Sequence, residues 1–295
     1  MKKTIYPVVM LTLLFASNAL AQLNLPRESQ RQEVAQTVGD TRIALVYHRP
    51  NTKAREVWGK LVPFGEVWRT GANENTTFET SQNLKINGQI LPAGKYGFHT
   101  IPNKDEWTII FSKVNDQWGS FAYKPENDQL RVTAKPQTVE MQETMSLGFE
   151  NVKATTADVV VRWEKMRVPF TVDVGDVNER TLTEIRKQMT NLKADNLKAP
   201  VDAANYIYGQ KMTTNYVEAI GWLDAALKMK ETGNALGLKA YLLAETGKKT
   251  EALATIQRAI TVAKAANPKA NTSALEKRMA DWKSGKWQSN TTPSM

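Results

Sequence analysis

The chain has 295 residues, 41% of them hydrophobic, with two histidines, no cysteine and a formal net charge of +9. The length suffices for two hydrophobic cores. Without cysteine there are no disulfides, no thiolate metal sites and no lipid-modified N-terminal cysteine, so stability must come from packing. The charge does not read as a nucleic-acid footprint. Residues 22–177 hold 19 basic and 19 acidic side chains, and the excess lies in residues 178–295, with 18 basic and 11 acidic. Those cations are spread over helical sequence and not interleaved with aromatics, so no nucleic-acid partner is expected.

Met1-Lys2-Lys3, the apolar run Ile5–Phe15 and the triplet Ala19-Leu20-Ala21 follow the plan of a secretory signal peptide over residues 1–21. The apolar run is shorter than the roughly 20 residues that span a bilayer. Cleavage after Ala21 would start the exported chain at Gln22, with no transmembrane segment after it.

From Thr41 to Val174 the apolar residues recur with period two. Ile43, Leu45 and Tyr47 begin the series; Tyr96 and Phe98, then Trp107, Ile109 and Phe111, continue it. Val159, Val161 and Trp163, and then Val168, Phe170, Val172 and Val174, close it. This alternation puts one face of each strand into a core. Asn87-Gly88 between two short apolar runs predicts a tight hairpin, and Pro102–Asp105 predicts a second one. Strands joined by turns, with no helical sequence between them, favour an antiparallel β-sandwich over 22–177.

Beyond Val177 the period becomes helical. Glu179–Lys193 reads as an amphipathic helix. Ala219, Leu223 and Ala226 share their spacing with Ala252, Ile256 and Ala259, offset by 33 residues. With Ala240 at a close-approach position and Gly247 at a break, residues 201–266 resemble degenerate tetratricopeptide repeats, and Ser273–Trp287 a closing helix. A generic helical hairpin bundle fits the same pattern. The fold class is thus α+β in two domains: a β-sandwich, then an α-helical tetratricopeptide-like hairpin domain over 178–287, with a disordered tail at 288–295. The helical domain would hold an envelope protein partner.

One segment carries more chemistry than a connection needs. Tyr47-His48-Arg49-Pro50 ends a strand, and residues 65–77 then crowd Trp68, Arg69, Asn73 and Glu74 around Gly71. Such density signals a buried polar network or a binding surface. The arginine forks of Arg49 and Arg69 suit a carboxylate or phosphate, and equally an internal pair with Glu66 or Glu74. Trp58 and Trp68 are packing residues or a stacking platform for a sugar. His48 and His99 both lie opposite the apolar phase of their strands. If they converge, His48, His99 and Glu74 form a three-ligand divalent metal site with an open position, the basis of a metal-assisted hydrolase with Arg69 on the substrate. No other catalytic or cofactor signature is present: there is no phosphate loop, nucleophile elbow, zinc-binding His-Glu helix or EF-hand loop.

Five stretches carry a family resemblance: YHRP at 47–50, the arginine and glycine of REVWG at 55–59, VWRTGANENTTF at 67–78, LPAGKYGFHTIP at 91–102 and VVVRWEKMRVPFTV at 159–172. Over roughly residues 22–175 the chain resembles the bacterial family known as domain of unknown function 2911, common in the Bacteroidetes. The resemblance implies an exported, periplasmic or extracellular protein, sometimes joined to helical repeats, and brings no catalytic assignment. The favoured expectation is therefore a non-enzymatic ligand-binding or interaction protein of the cell envelope. Its ligand would be a small anion or a saccharide, with His48, Arg49, Trp68, Arg69, Asn73, Glu74 and His99 as candidate contacts.

Overall fold

A computed structural model describes residues 25–190 and 196–287. The segments read as a signal peptide and a disordered tail lie outside the described residues. The chain divides into two compact units, one ending at Gly175 and the other starting at Asp176.

The first unit is built of two antiparallel sheets. The six-stranded sheet runs in the order β1 (Gln30–Val38), β2 (Thr41–Arg49), β3 (Thr76–Thr80), β6 (Gly94–Ile101), β7 (Trp107–Ser112) and β8 (Asp128–Ala134). The four-stranded sheet runs β5 (Gln89–Leu91), β4 (Leu84–Ile86), β10 (Thr156–Asp173) and β9 (Gln137–Glu150). The inner faces meet through aromatic rings. Phe98 stacks on Phe170 at 5.8 Å, and Phe111 meets Phe170 edge-on at 6.1 Å. The Tyr47 hydroxyl crosses between the sheets, accepting from Leu147 N at 2.8 Å. Because its ring is buried, that polar tip needs such a partner.

The predicted hairpins form where turn chemistry placed them. Asn87 and Gly88 both take positive φ, +46° and +86°, and Ile86 pairs with Gln89 across the turn. Residues 102–106 join β6 to β7. The two apolar series at 159–163 and 168–172 belong to one 18-residue strand, and Val174 follows just past its end. Their phases differ because the pairing with β9 slips between Arg162 and Glu164 and again between Glu164 and Met166. Glu164 sits at φ +54°, and the extra residues of this bulge hand the inward face from odd to even positions.

The second unit is a bundle of six helices: α1 (Val177–Thr190), α2 (Lys198–Gly209), α3 (Tyr216–Met229), α4 (Gly233–Glu245), α5 (Lys249–Ala266) and α6 (Ser273–Lys283). The residues aligned by the 33-residue offset form its core; Ala219, Leu223, Ala226, Ala252, Ile256 and Ala259 are all buried. Tyr208 and Tyr241, also 33 apart, stack at 6.0 Å. Gly233 lets α4 approach α5, since a Cβ there would fall 2.7 Å from that of Ala263. The last described turn is closed by Trp282 and Trp287, stacked at 5.2 Å.

Candidate functional site

The outer face of the six-stranded sheet carries the polar row that sequence alternation implied. Val46 pairs with Thr77 and Thr76 with Phe98, so continuing the register sets Asn75 between His48 on β2 and His99 on β6. All three side chains are buried or nearly so. The connection from β7 to β8 folds over this row. It lies flat against β6 because Gly97 has no side chain: a Cβ there would meet Val114 O at 2.2 Å.

His48 and His99 therefore share a face but do not converge. Two strand spacings, about 10 Å, separate their backbones. His99 is held elsewhere, with Nδ1 2.9 Å from Ser120 Oγ and Nε2 3.2 Å from Gln117 Nε2. With the Gln117 amide donating, the imidazole proton sits on Nδ1 and is donated to Ser120. Burial pushes the His99 pKa down to about 4, against a weaker upward pull from Asp128. His48 keeps company with Glu74, whose Oε2 lies 3.5 Å from Nε2. Its pKa is lowered, chiefly by burial, with Arg27 and Arg31 reinforcing and Glu74 opposing. The three-ligand metal centre expected of His48, His99 and Glu74 is thus not assembled. Among the described residues no group of three or more His, Asp or Glu side chains could hold a metal ion.

Glu74 has a partner the sequence reading missed. Arg27 Nη1 lies 2.7 Å from each of its carboxylate oxygens, and the Arg27 guanidinium lies 5.6 Å from the centre of the Trp118 ring. Burial pulls the Glu74 pKa up, but Arg27 and His48 outweigh it and leave it lowered. The expected internal pair of Arg69 with Glu66 or Glu74 does not form. Arg69 makes no salt bridge among the described residues, and its Nε is shielded from solvent without a hydrogen-bond partner.

Three other candidates serve the fold. Arg49 Nε donates to Met145 O at 2.8 Å, tying the two sheets together. Asn73, at φ +58°, donates through Nδ2 to Ser29 O at 3.3 Å and accepts at its carbonyl from Gly119 N. Trp68 turns inward, stacked on Trp163 at 5.8 Å beside Trp58 and Trp107, and its Nε1 donates to Gly71 O. Its ring packs within this tryptophan cluster and is partly buried. Gly71 itself lies too close to β2 for a side chain, since a Cβ would sit 3.0 Å from His48 O.

What the outer face does offer is a cleft of about 540 Å³ where the N-terminal segment passes over β1, β2 and β3. Arg27, Arg31, His48, Glu74, Thr77 and Lys95 line it, with Asp116 at its margin. Nothing in their local sequence pattern marks Arg27 and Arg31, and Lys95 reads from the sequence as a structural residue at a strand start. They meet only once the strand order is known.

No curated protein and no solved structure matches this chain. Residues 29–172 match the family model described as "Protein of unknown function (DUF2911)". That stretch runs from just before β1 almost to the end of β10 and contains every candidate residue read from the sequence, while Arg27 precedes it. The chain thus carries a domain of the DUF2911 family over roughly residues 29–172.

Proposed function

We propose that this is an exported, non-enzymatic protein of the cell envelope in which the β domain, residues 22–177, binds a small hydroxyl-rich ligand of the saccharide class. The observation that carries the reading is the outer-face cleft of about 540 Å³. It is of ordinary ligand-site size and stands on strands, which hold side chains more rigidly than loops do. Its charged groups nearly balance, with Arg27, Arg31 and Lys95 against Glu74 and Asp116, and His48 is neutral at pH 7. A mixed lining of donors and acceptors suits a neutral polyol better than a simple anion, which would leave the two carboxylates opposed.

In this reading residues 1–21 direct export to the periplasm, and the helical domain, residues 178–287, holds a partner protein through tetratricopeptide-like hairpins. A cavity of about 380 Å³ across α2, α4 and the start of α6, lined only by uncharged residues, supports that role. No helix among the described residues is long and apolar enough to cross a membrane.

Isothermal titration of the chain from Gln22 onward with soluble envelope saccharide fragments tests the proposal. His48→Ala and Thr77→Val should each weaken binding about tenfold, the worth of roughly one hydrogen bond. Heat with inorganic phosphate but none with saccharides would replace the ligand class by an anion. No heat with either, combined with a large fall in melting temperature for His48→Ala, would leave the cleft a structural feature.

A further inference from the structure

We infer that Arg69, together with Phe121, forms a second site on the β unit, one that takes the oxyanion of a ligand carrying an apolar group. The backbone of Arg69 is fixed on both sides. Trp68 exchanges both backbone hydrogen bonds with Thr100, at 2.8 and 2.9 Å, and the Arg69 carbonyl accepts from Thr76 N at 3.3 Å. Trp68 points into the tryptophan cluster, so the alternation of the chain sends Arg69 to the other side. There its Nε is shielded from solvent and unpartnered, and no described carboxylate pairs with the guanidinium, which is partly exposed.

A shielded Nε–H without an acceptor is an unusual thing for a fold to retain, since each unpaired buried polar group is destabilising. The planar fork of the guanidinium matches a carboxylate or phosphate in two parallel hydrogen bonds. The surroundings keep that fork accessible. Gly119 stands beside it, and a single point, where a Cβ would be, is 3.3 Å from Arg69 Nη1 and 3.0 Å from the Phe121 ring. Any larger residue would press on both. Phe121 is 86% exposed, so a large apolar side chain stands beside the cation. An exposed aromatic ring beside an unpaired cation fits a ligand with an acidic end and an apolar body. This site is independent of the saccharide reading: Arg69 does not line that cleft.

The test uses thermal melting of the chain from Gln22 onward with acetate, benzoate and inorganic phosphate. Benzoate at saturation should raise the melting temperature by about 2 °C or more, and acetate by less at equal concentration. Arg69→Met should abolish both shifts while leaving the ligand-free melting temperature equal or higher, because it removes a shielded N–H that has no acceptor. Phe121→Ser should bring benzoate down to the level of acetate and leave acetate unchanged. A fall of several degrees for ligand-free Arg69→Met would overturn the proposal, since the guanidinium would then be structural. So would the absence of a shift with every probe. A response to phosphate alone would remove the apolar part of the ligand and with it the role given to Phe121.

Discussion

Gly97→Ala is expected to cost the β unit about 3 kcal/mol or more, at the top of the range for overpacking a filled site or beyond it. The added Cβ would meet Val114 O at 2.2 Å and Asn75 Nδ2 at 2.9 Å, and a backbone carbonyl cannot swing aside as a side-chain tip can. Either β6 bends or the connection after β7 lifts, and that connection carries Gln117, Trp118 and Ser120. Gly148→Ala on β9 is the control, because nothing lies within 4 Å of its missing Cβ. It should be neutral or stabilising by up to about 1 kcal/mol, through reduced freedom of the unfolded chain. Urea unfolding of both variants, followed by amide exchange in β3 and β6, separates them. Similar midpoints for the two would refute the close approach at Gly97.

Acidification should destabilise the same unit well before its carboxylates titrate. His99 has a folded pKa of about 4 against 6.5 when unfolded, so at intermediate pH the unfolded chain binds the proton and the native chain does not. Its contribution is therefore fully present above pH 6.5 and lost as pH falls toward 4, amounting to about 3 kcal/mol over that window. His48, also lowered, adds to the loss with the same sign. Since the protein has two histidines and no cysteine, the slope between pH 6.5 and 5 belongs to these two side chains. His99→Gln should flatten most of it, whatever its effect on stability at pH 7. A slope unchanged in that variant would mean that the imidazole is not buried neutral.

The parts of the fold legible in the sequence are those where one face is apolar or a turn demands a special backbone. Leu45, Phe98, Phe111 and Phe170 each belong to a run of large apolar residues at every second position, and Asn87-Gly88 announces its hairpin. β1 was invisible because QRQEVAQTV alternates polar with weakly apolar residues, and the first half of β9, QTVEMQET, is mostly polar before Met145 and Leu147 turn into the core. Both are edge strands, and their exposed stretches need no strong apolar face. Thr76 and Thr77 read as the end of a polar loop because threonine serves loops and strands alike. They start β3, and Thr76 Oγ1 donates to Thr70 O at 2.7 Å.

At the site, alternation correctly put His48 and His99 on one face, but alternation fixes a face and not a distance. The intervening strand comes from sequence that lies between them, so their separation depends on strand order. The mispairing of Glu74 has a similar origin. Arg69 is its neighbour in sequence, whereas Arg27 reaches it across 47 positions because β1 folds back antiparallel on β2. Charge matching by proximity along the chain fails wherever a hairpin brings in a remote competitor.

β1 also governs how the protein behaves in concentrated solution. Among the described residues it is the outer strand of the larger sheet and pairs only with β2, so its far side presents backbone donors and acceptors to any strand that comes alongside. Arg31 and Glu33 stand exposed on it and pair with each other at 3.4 Å, with Arg42 at 3.8 Å from Glu33. Docking another strand there would strip water from these charges. Replacing both by threonine should leave the monomer's fold intact while turning this margin into a template for self-association, visible as a concentration-dependent rise in light scattering.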